Sequence, residues 1–222
     1  MKVTIIPVTP FQQNCSLLSC EETGKAAVID PGGDLDLILR RLEESNAVLE
    51  KIFVTHGHVD HAAGVAELSR RMAVPVEGPH HDDQYWIDAL GEHGREYGFE
   101  WAEPFTPDRW LVQGDKVQFG NVIMDVHHCP GHTPGHVVYY HQAMKLAFVG
   151  DVLFRGSIGR TDFPGGDYET LIRSITQKLW PLGNDVQFVS GHGPVSSFGL
   201  ERQTNPYVSD RELAKSGGWG LH

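Results

Sequence analysis

The chain has 222 residues, 40% of them hydrophobic and 21% charged, enough apolar material for a sizeable core and too little charge for a disordered polypeptide. Lys and Arg number 18 against 29 Asp and Glu, a formal net charge of −11 with histidine neutral, which argues against a nucleic-acid groove or a basic membrane-binding face as the main function. No apolar run approaches the ~18–20 residues of a bilayer span, and three cysteines that form no CxxC exclude a disulfide scaffold. The N-terminus lacks the apolar core and cleavage site of a signal peptide, so it reads as a first strand and a cytoplasmic location is expected.

The opening is strand-rich, over Lys2–Val8, Asn14–Cys20 and Lys25–Asp30, with Pro31-Gly32-Gly33 closing the third strand. Asp34 can cap a helix over Leu35–Ser45, in which Leu35, Ile38, Leu39 and Leu42 form an apolar stripe. Val48–Thr55 reads as a buried strand that runs into a histidine-rich loop at 56–61, followed by a helix to about Met72. Val74–Val76 is a short strand, and residues 80–108 are less regular, with a helix expected only over Asp82–Leu90.

The second half opens with a hairpin, Val117–Phe119 and Val122–His128, around Gly120-Asn121. His136–His141 and Leu146–Val149 follow as strands, Asp167–Trp180 as a helix, Val186–Ser190 as a strand, and Ser197–Arg202 as the start of another helix. The order of strands, helix, strand, helix occurs twice. Two sheets packed face to face with helices on both outer faces satisfy it, an αββα sandwich in the α/β class; a doubly wound parallel sheet does not, because hairpins imply antiparallel pairs.

Thirteen histidines are the odd feature of the composition, and they cluster. Thr55-His56-Gly57-His58-Val59-Asp60-His61 follows an apolar strand and precedes a helix. On an extended segment, side chains two apart face the same way, so His56 and His58 can bind one ion, while Asp60 and His61, carried round by the helix, can start a second site. Imidazole with carboxylate suits zinc, iron or manganese, and Gly57 would let the loop pass close to the metals. Three further segments each put one potential ligand at a strand end beside glycine: His132 in Cys129-Pro-Gly-His-Thr-Pro-Gly-His136, Asp151 after Gly150, and His192 in Gly191-His-Gly-Pro194. As a set the seven side chains are about what a two-metal site needs once a bridging water is added.

This series, with Asp30-Pro-Gly-Gly33 as the first motif, resembles the metallo-β-lactamase superfamily over roughly residues 1–200. Gly150-Asp151, the run Gly159-Arg160-Thr161-Asp162-Phe163-Pro164-Gly165-Gly166, Gly191-His192-Gly193-Pro194 and the tail Glu201–Pro206 resemble the short type II glyoxalases, which are hydroxyacylglutathione hydrolases. The resemblance implies that His56, His58 and His132 hold one divalent ion, that Asp60, His61 and His192 hold another, and that Asp151 bridges them, zinc being the first choice and iron or manganese the alternatives. It implies one domain over residues 1–222, because the chain ends too soon after His192 for the C-terminal helical domain with which larger members grip glutathione. The implied reaction is cleavage of a glutathione thioester such as S-lactoylglutathione by a hydroxide shared between the ions, with a small molecule, and no nucleic acid or membrane, as partner. Asp60 and Asp151 are then the candidate catalytic carboxylates.

Arg160 is the candidate for binding the glutathione peptide, with a surface position or a pairing to Asp162 as alternatives. Asp30 is expected to orient a ligand histidine through its far nitrogen, or to cap the turn. His80, His81, His127 and His128 are expected to stand outside the site, and the cysteines to be small buried residues. The Arg-Thr-Asp-Phe run also resembles persulfide dioxygenases of the same fold, single-iron enzymes that tend to carry Ala-His-Asp in place of Gly-His-Gly-Pro.

Overall fold

The structure, a computed structural model, describes residues 1–215. The first sheet has five strands in the order β1-β2-β3-β4-β5: β1 Lys2–Val8, β2 Gln13–Cys20, β3 Lys25–Ile29, β4 Val48–Phe53 and β5 Val76–Glu77. Short turns join β1, β2 and β3, which are antiparallel; helical crossovers join β3 to β4 and β4 to β5, which are parallel. The second sheet has six strands in the order β13-β12-β9-β8-β7-β6. These are β6 Lys116–Phe119, β7 Val122–His128, β8 Val137–His141, β9 Leu146–Gly150, β12 Gln187–Ser190 and β13 Ser196–Ser197. Only β9 and β12 pair in parallel there. A separate hairpin, β10 Leu153–Phe154 with β11 Ser157–Ile158, follows β9 and has no signal in the sequence, because two-residue strands carry no periodicity.

Alternation along each strand builds three apolar layers. Leu18, Ile29 and Phe53 face Val117, Phe119, Val126 and Tyr139 between the sheets. Their neighbours Leu17, Val28 and Ile52 point outward, under helices α1 (Leu35–Glu44) and α3 (Val65–Met72). On the far side Val138, Val149 and Phe188 pack under α6 (Tyr168–Ser174) and α7 (Phe198–Thr204). The layers are therefore helix, sheet, sheet, helix, as the order of elements predicts. Among the described residues no helix is long and apolar enough to cross a membrane.

Three local expectations need correction. The segment expected as a loop over 56–61 and then a helix to about Met72 instead holds a short helix α2 (Val59–Ala62) within the loop's end and a separate α3, because Gly64 between them donates to the Pro31 carbonyl at 3.0 Å and a Cβ there would stand 2.4 Å from that oxygen. Asp34 sits at the first helix's start but caps nothing; its carboxylate accepts from the Thr9 amide at 2.6 Å. Residues 80–108 hold two helices rather than one, α4 (Gln84–Asp88) and α5 (Leu90–Tyr97). The second of these carries Gly91 and Gly94 and lacks an apolar stripe, so its sequence does not read as a helix. It packs through Gly94, where a Cβ would meet Phe99 O at 2.5 Å.

Candidate metal centre

The seven candidate ligands come from four loops at one end of the sandwich. His56 and His58 lie on the loop leaving β4, and Asp60 and His61 on α2. His132 lies in the turn between β7 and β8, Asp151 directly after β9, and His192 after β12. The structure brings ligand atoms of His56, His58 and His132 within 4.8 Å of one another, and those of Asp60, His61 and His192 likewise. Nδ1 of His58 and Nε2 of His132 are 2.9 Å apart, near the ~3.3 Å between two nitrogens that share a tetrahedral ion at ~2.0–2.1 Å. Asp151 stands between the groups: Oδ1 is 3.2 Å from His61 Nε2, and Oδ2 is 3.7 Å from His132 Nε2 and 3.8 Å from His192 Nε2. Asp60 Oδ2 is 3.0 Å from His192 Nε2.

Several of these atoms are buried without a hydrogen-bond partner among the described residues: Nε2 of His56, Nε2 of His61 and Oδ1 of Asp151. A buried polar atom left unpaired costs ~1–3 kcal/mol, so three converging on one small volume fit a group that is absent from the polypeptide, and a divalent cation suits this donor set. Electrostatics agree for the three-histidine group. Burial pushes His56, His58 and His132 below the usual histidine range, so they are neutral, the form that ligates. Burial would also lower His61, but the Asp151 and Asp60 carboxylates together outweigh it and raise that ring well above the usual value. Burial alone would raise Asp151; the surrounding imidazoles, His61 foremost, hold its carboxyl well below the ordinary range.

The outer nitrogens are also held. Asp30 Oδ2 is 2.9 Å from His61 Nδ1, and the same carboxylate accepts from the amide and hydroxyl of Thr55 at 2.7 and 2.6 Å. His132 Nδ1 reaches the Arg160 carbonyl at 2.7 Å and His192 Nδ1 the Phe11 carbonyl at 3.1 Å. Backbone contacts of this kind fix the ring tautomers and aim the opposite nitrogens inward. Gly191 is required by space: a Cβ there would lie 2.0 Å from Asp151 Oδ1 and 2.5 Å from His61 Cε1.

A cavity of about 670 Å³ opens above this floor. Phe11, Trp86, Tyr97, Phe154 and Phe163 supply much of its wall, and Arg155 and Arg160 are its cationic side chains. The Arg160 guanidinium makes two bonds to Asp162, at 2.9 and 2.8 Å, and lies 4.3 Å over the Phe163 ring. Arg155, at the tip of the β10–β11 hairpin, has no hydrogen-bond or ion-pair partner among the described residues.

Three further residues at the site carry little or no signal in the sequence. His136 is fully buried, stacks on His56 at 4.6 Å, and accepts the Asp151 amide at 3.1 Å through Nε2; its place in the Gly-His-Thr-Pro-Gly-His turn was the available signal. Arg155, beside the Gly156 turn, carried none. Asp83 is buried against both histidine loops, although an Asp-Asp pair ordinarily reads as solvated surface. Gly57 has a different reason from the one expected: a Cβ would strike Trp86 Cβ at 2.7 Å, so the crowding comes from α4 and not from the metals. His80, Asp82 and His128 also come within ligand distance of one another, but the two imidazoles are stacked at 4.2 Å and 14°, and His80 Nδ1 already accepts the Asp82 amide at 3.2 Å while His128 Nε2 faces the Pro134 carbonyl at 2.8 Å. Cys15, Cys20 and Cys129 are free and buried.

Comparison with known proteins places this geometry. The profile of the metallo-beta-lactamase superfamily matches residues 8–192. Over 212 residues the chain is 42% identical to the hydroxyacylglutathione hydrolase GloC of Haemophilus influenzae, a match covering 95% of this chain and 100% of that protein. The crystal structure of TTHA1623 in a di-iron-bound form is similar at TM-score 0.84 and 34% identity, covering 93% of this chain and 100% of the other. The BLEG-1 B3 metallo-beta-lactamase is similar at TM-score 0.85 and 35% identity, covering 93% and 99%. With the family profile, the sequence identity and the fold in agreement, the chain belongs to the metallo-β-lactamase superfamily and is a metallohydrolase.

Proposed function

We propose that the chain hydrolyses a thioester of glutathione, with S-lactoylglutathione as the representative substrate, and that it does so with two divalent ions, zinc first. The observation that carries the reading is the position of Asp151, whose two oxygens face the two ligand groups on the floor of the cavity. The similarity to GloC supports the glutathione thioester. Two divalent ions bound there would polarise a carbonyl and lower the pKa of a shared water from 15.7 toward ~7.

The remaining work falls to side chains. His56, His58 and His132 present neutral nitrogens on one flank, and Asp60 and Asp151 present the carboxylate charge that offsets the cations. The leaving group is a thiolate, whose parent thiol has a pKa near ~8.5, so no strong general acid has to stand above the site. Phe11, Trp86, Tyr97 and Phe163 shed water from the substrate's acyl end and pack its peptide backbone. Glutathione carries two carboxylates, and Arg155, the cavity cation without a partner among the described residues, is placed to meet one. Arg160, the residue singled out from the sequence, would have to give up its two bonds to Asp162 to do the same; its carbonyl meanwhile holds His132. Asp30 orients His61.

The test is purified, zinc-reconstituted protein assayed under nitrogen. Release of free thiol from S-lactoylglutathione at the same rate with and without oxygen is the expected result. The alternative is the single-iron persulfide dioxygenase; oxygen uptake with glutathione persulfide by iron-loaded protein, with the thioester left intact, would replace the proposal by that one. Hydrolysis of a β-lactam in preference to the thioester would also overturn it.

A further inference from the structure

Asp83 closes a short 3₁₀ turn, His81–Asp83, and is fully buried. Its Oδ2 accepts from the Gly57 amide at 2.9 Å and the Thr133 hydroxyl at 2.8 Å, and its Oδ1 from the Gly135 amide at 2.6 Å. Gly57 lies between His56 and His58, on a loop carried by the first sheet. Thr133 follows His132, on a turn carried by the second. One carboxylate therefore joins the two loops that must meet to make the three-histidine group.

The surroundings are shaped for it. A Cβ at Gly135 would lie 2.4 Å from the Asp83 nitrogen and 2.7 Å from its Cβ; one at Gly57 would lie 3.3 Å from its carbonyl oxygen. At Gly135 the turn has given up a side chain where Asp83 passes, while Gly57 is cleared chiefly for Trp86. Burial also pushes its carboxyl up to about 6, despite the three hydrogen bonds it accepts. A buried acid held at that electrostatic cost is a poor device for packing alone, since an apolar residue would fill the space more cheaply. The other ligand group is braced elsewhere: His61 by Asp30, and His192 by the Phe11 carbonyl.

We propose that Asp83 is a positioning residue that clasps the two histidine loops together, setting the metal affinity of the His56–His58–His132 site while leaving the Asp60–His61–His192 site unchanged. The inference rests on the reading that these two groups are metal sites. Without the clasp, each loop would remain tethered to its own sheet, but the distance between His58 and His132 would no longer be set from both sides. Loosening one ligand against the other two lowers affinity for the ion they share.

Stepwise zinc affinities, measured by competition with a chromophoric chelator, test this. Wild-type protein should bind two ions; one only would overturn the reading of the centre itself, and the clasp with it. Given two, Asp83→Asn, which turns an amide donor toward N–H donors, should weaken one step by about 10–100-fold and the other by less than threefold. In a His192→Ala background the same loss should appear on the remaining step, which identifies the affected site. Should Asp83→Asn fail to fold, Thr133→Val removes one of the three bonds and should weaken the same step several-fold, and Thr133→Ser, which keeps the hydroxyl, should restore it. A general loss of fold would lower both steps together. Equal weakening of both sites, or no weakening of either, would overturn the proposal.

Discussion

Asp30 Oδ2 lies 2.9 Å from His61 Nδ1, and this contact turns the opposite nitrogen of the ring toward Asp151, 3.2 Å away. Asp30 reaches that position with its backbone in the left-handed region, φ 53°, an unusual conformation for a residue with a side chain. It also ties down Thr55, the residue before the first ligand, through two bonds.

Asp30→Ala should therefore act on both stability and metal binding. Removing the acceptor strands the Thr55 amide and hydroxyl and frees the His61 ring. A cost of ~1–3 kcal/mol in urea unfolding is expected from the stranded groups. Zinc affinity of the Asp60–His61–His192 site should fall about 10–100-fold, measured by chelator competition. A variant with wild-type affinity at that site would remove Asp30 from the metal centre.

Metal stoichiometry separates the roles of Asp151 and His192. Because Asp151 faces both ligand groups, Asp151→Ala should lower occupancy at both sites. His192 belongs to one group, so His192→Ala should leave close to one ion per chain. Elemental analysis of protein reconstituted with zinc, iron or manganese gives the answer. A wild-type content that no added metal could raise above one per chain would rule out the two-ion reading.

The two arginines of the cavity should differ. Arg155→Ala should raise KM for S-lactoylglutathione by the equivalent of ~1.5–3 kcal/mol, roughly ten- to hundredfold, the worth of a charged hydrogen bond. It should barely change turnover of a simple acyl thioester without the peptide. Arg160→Ala should have the smaller effect on KM, because that guanidinium is already engaged by Asp162. Steady-state kinetics on both substrates decide between them, and the reverse order would return the substrate contact to Arg160.

Asp83 also leaves a mark on the pH dependence of stability. Its carboxyl sits at about 6 in the fold, against ~3.9 in an unfolded chain, so between those values the folded state holds more protons than the unfolded one. Stability from this group is thus fully present at low pH and is lost as pH rises from about 4 to 6, by up to ~3 kcal/mol. Asp83→Asn lacks the term. In urea unfolding of chelator-treated protein, the stability of wild type relative to Asp83→Asn should fall between pH 4.5 and 7. A gap independent of pH would mean that the carboxyl titrates normally.

Much of this protein could be read from short stretches of sequence. The two sheets follow from local period-two patterns and hairpin turns, and the outer helices from the stripes at Leu35–Leu42 and Leu171–Leu179. The cluster His56–His61 could be recognised because one strand–turn–helix brings four donors together within six residues, where chain geometry alone sets their spacing. His132, Asp151 and His192 each stood at a strand end beside glycine. Only the tertiary structure decided how they meet. Asp151 faces both groups because β9 lies beside β12 in the second sheet and ends at Gly150, where a Cβ would stand 2.7 Å from Thr55 Oγ1 just past β4, and no local period encodes that adjacency. The same holds for Asp83, whose partners are 26, 50 and 52 residues away, and for Arg155, distinguished from Arg160 by the Asp162 and Phe163 contacts that Arg160 makes and that Arg155 lacks among the described residues. Spacing along the chain determines which side chains share a face over a few residues; which loops touch is set by how the two sheets pack and register, and that depends on the whole core at once.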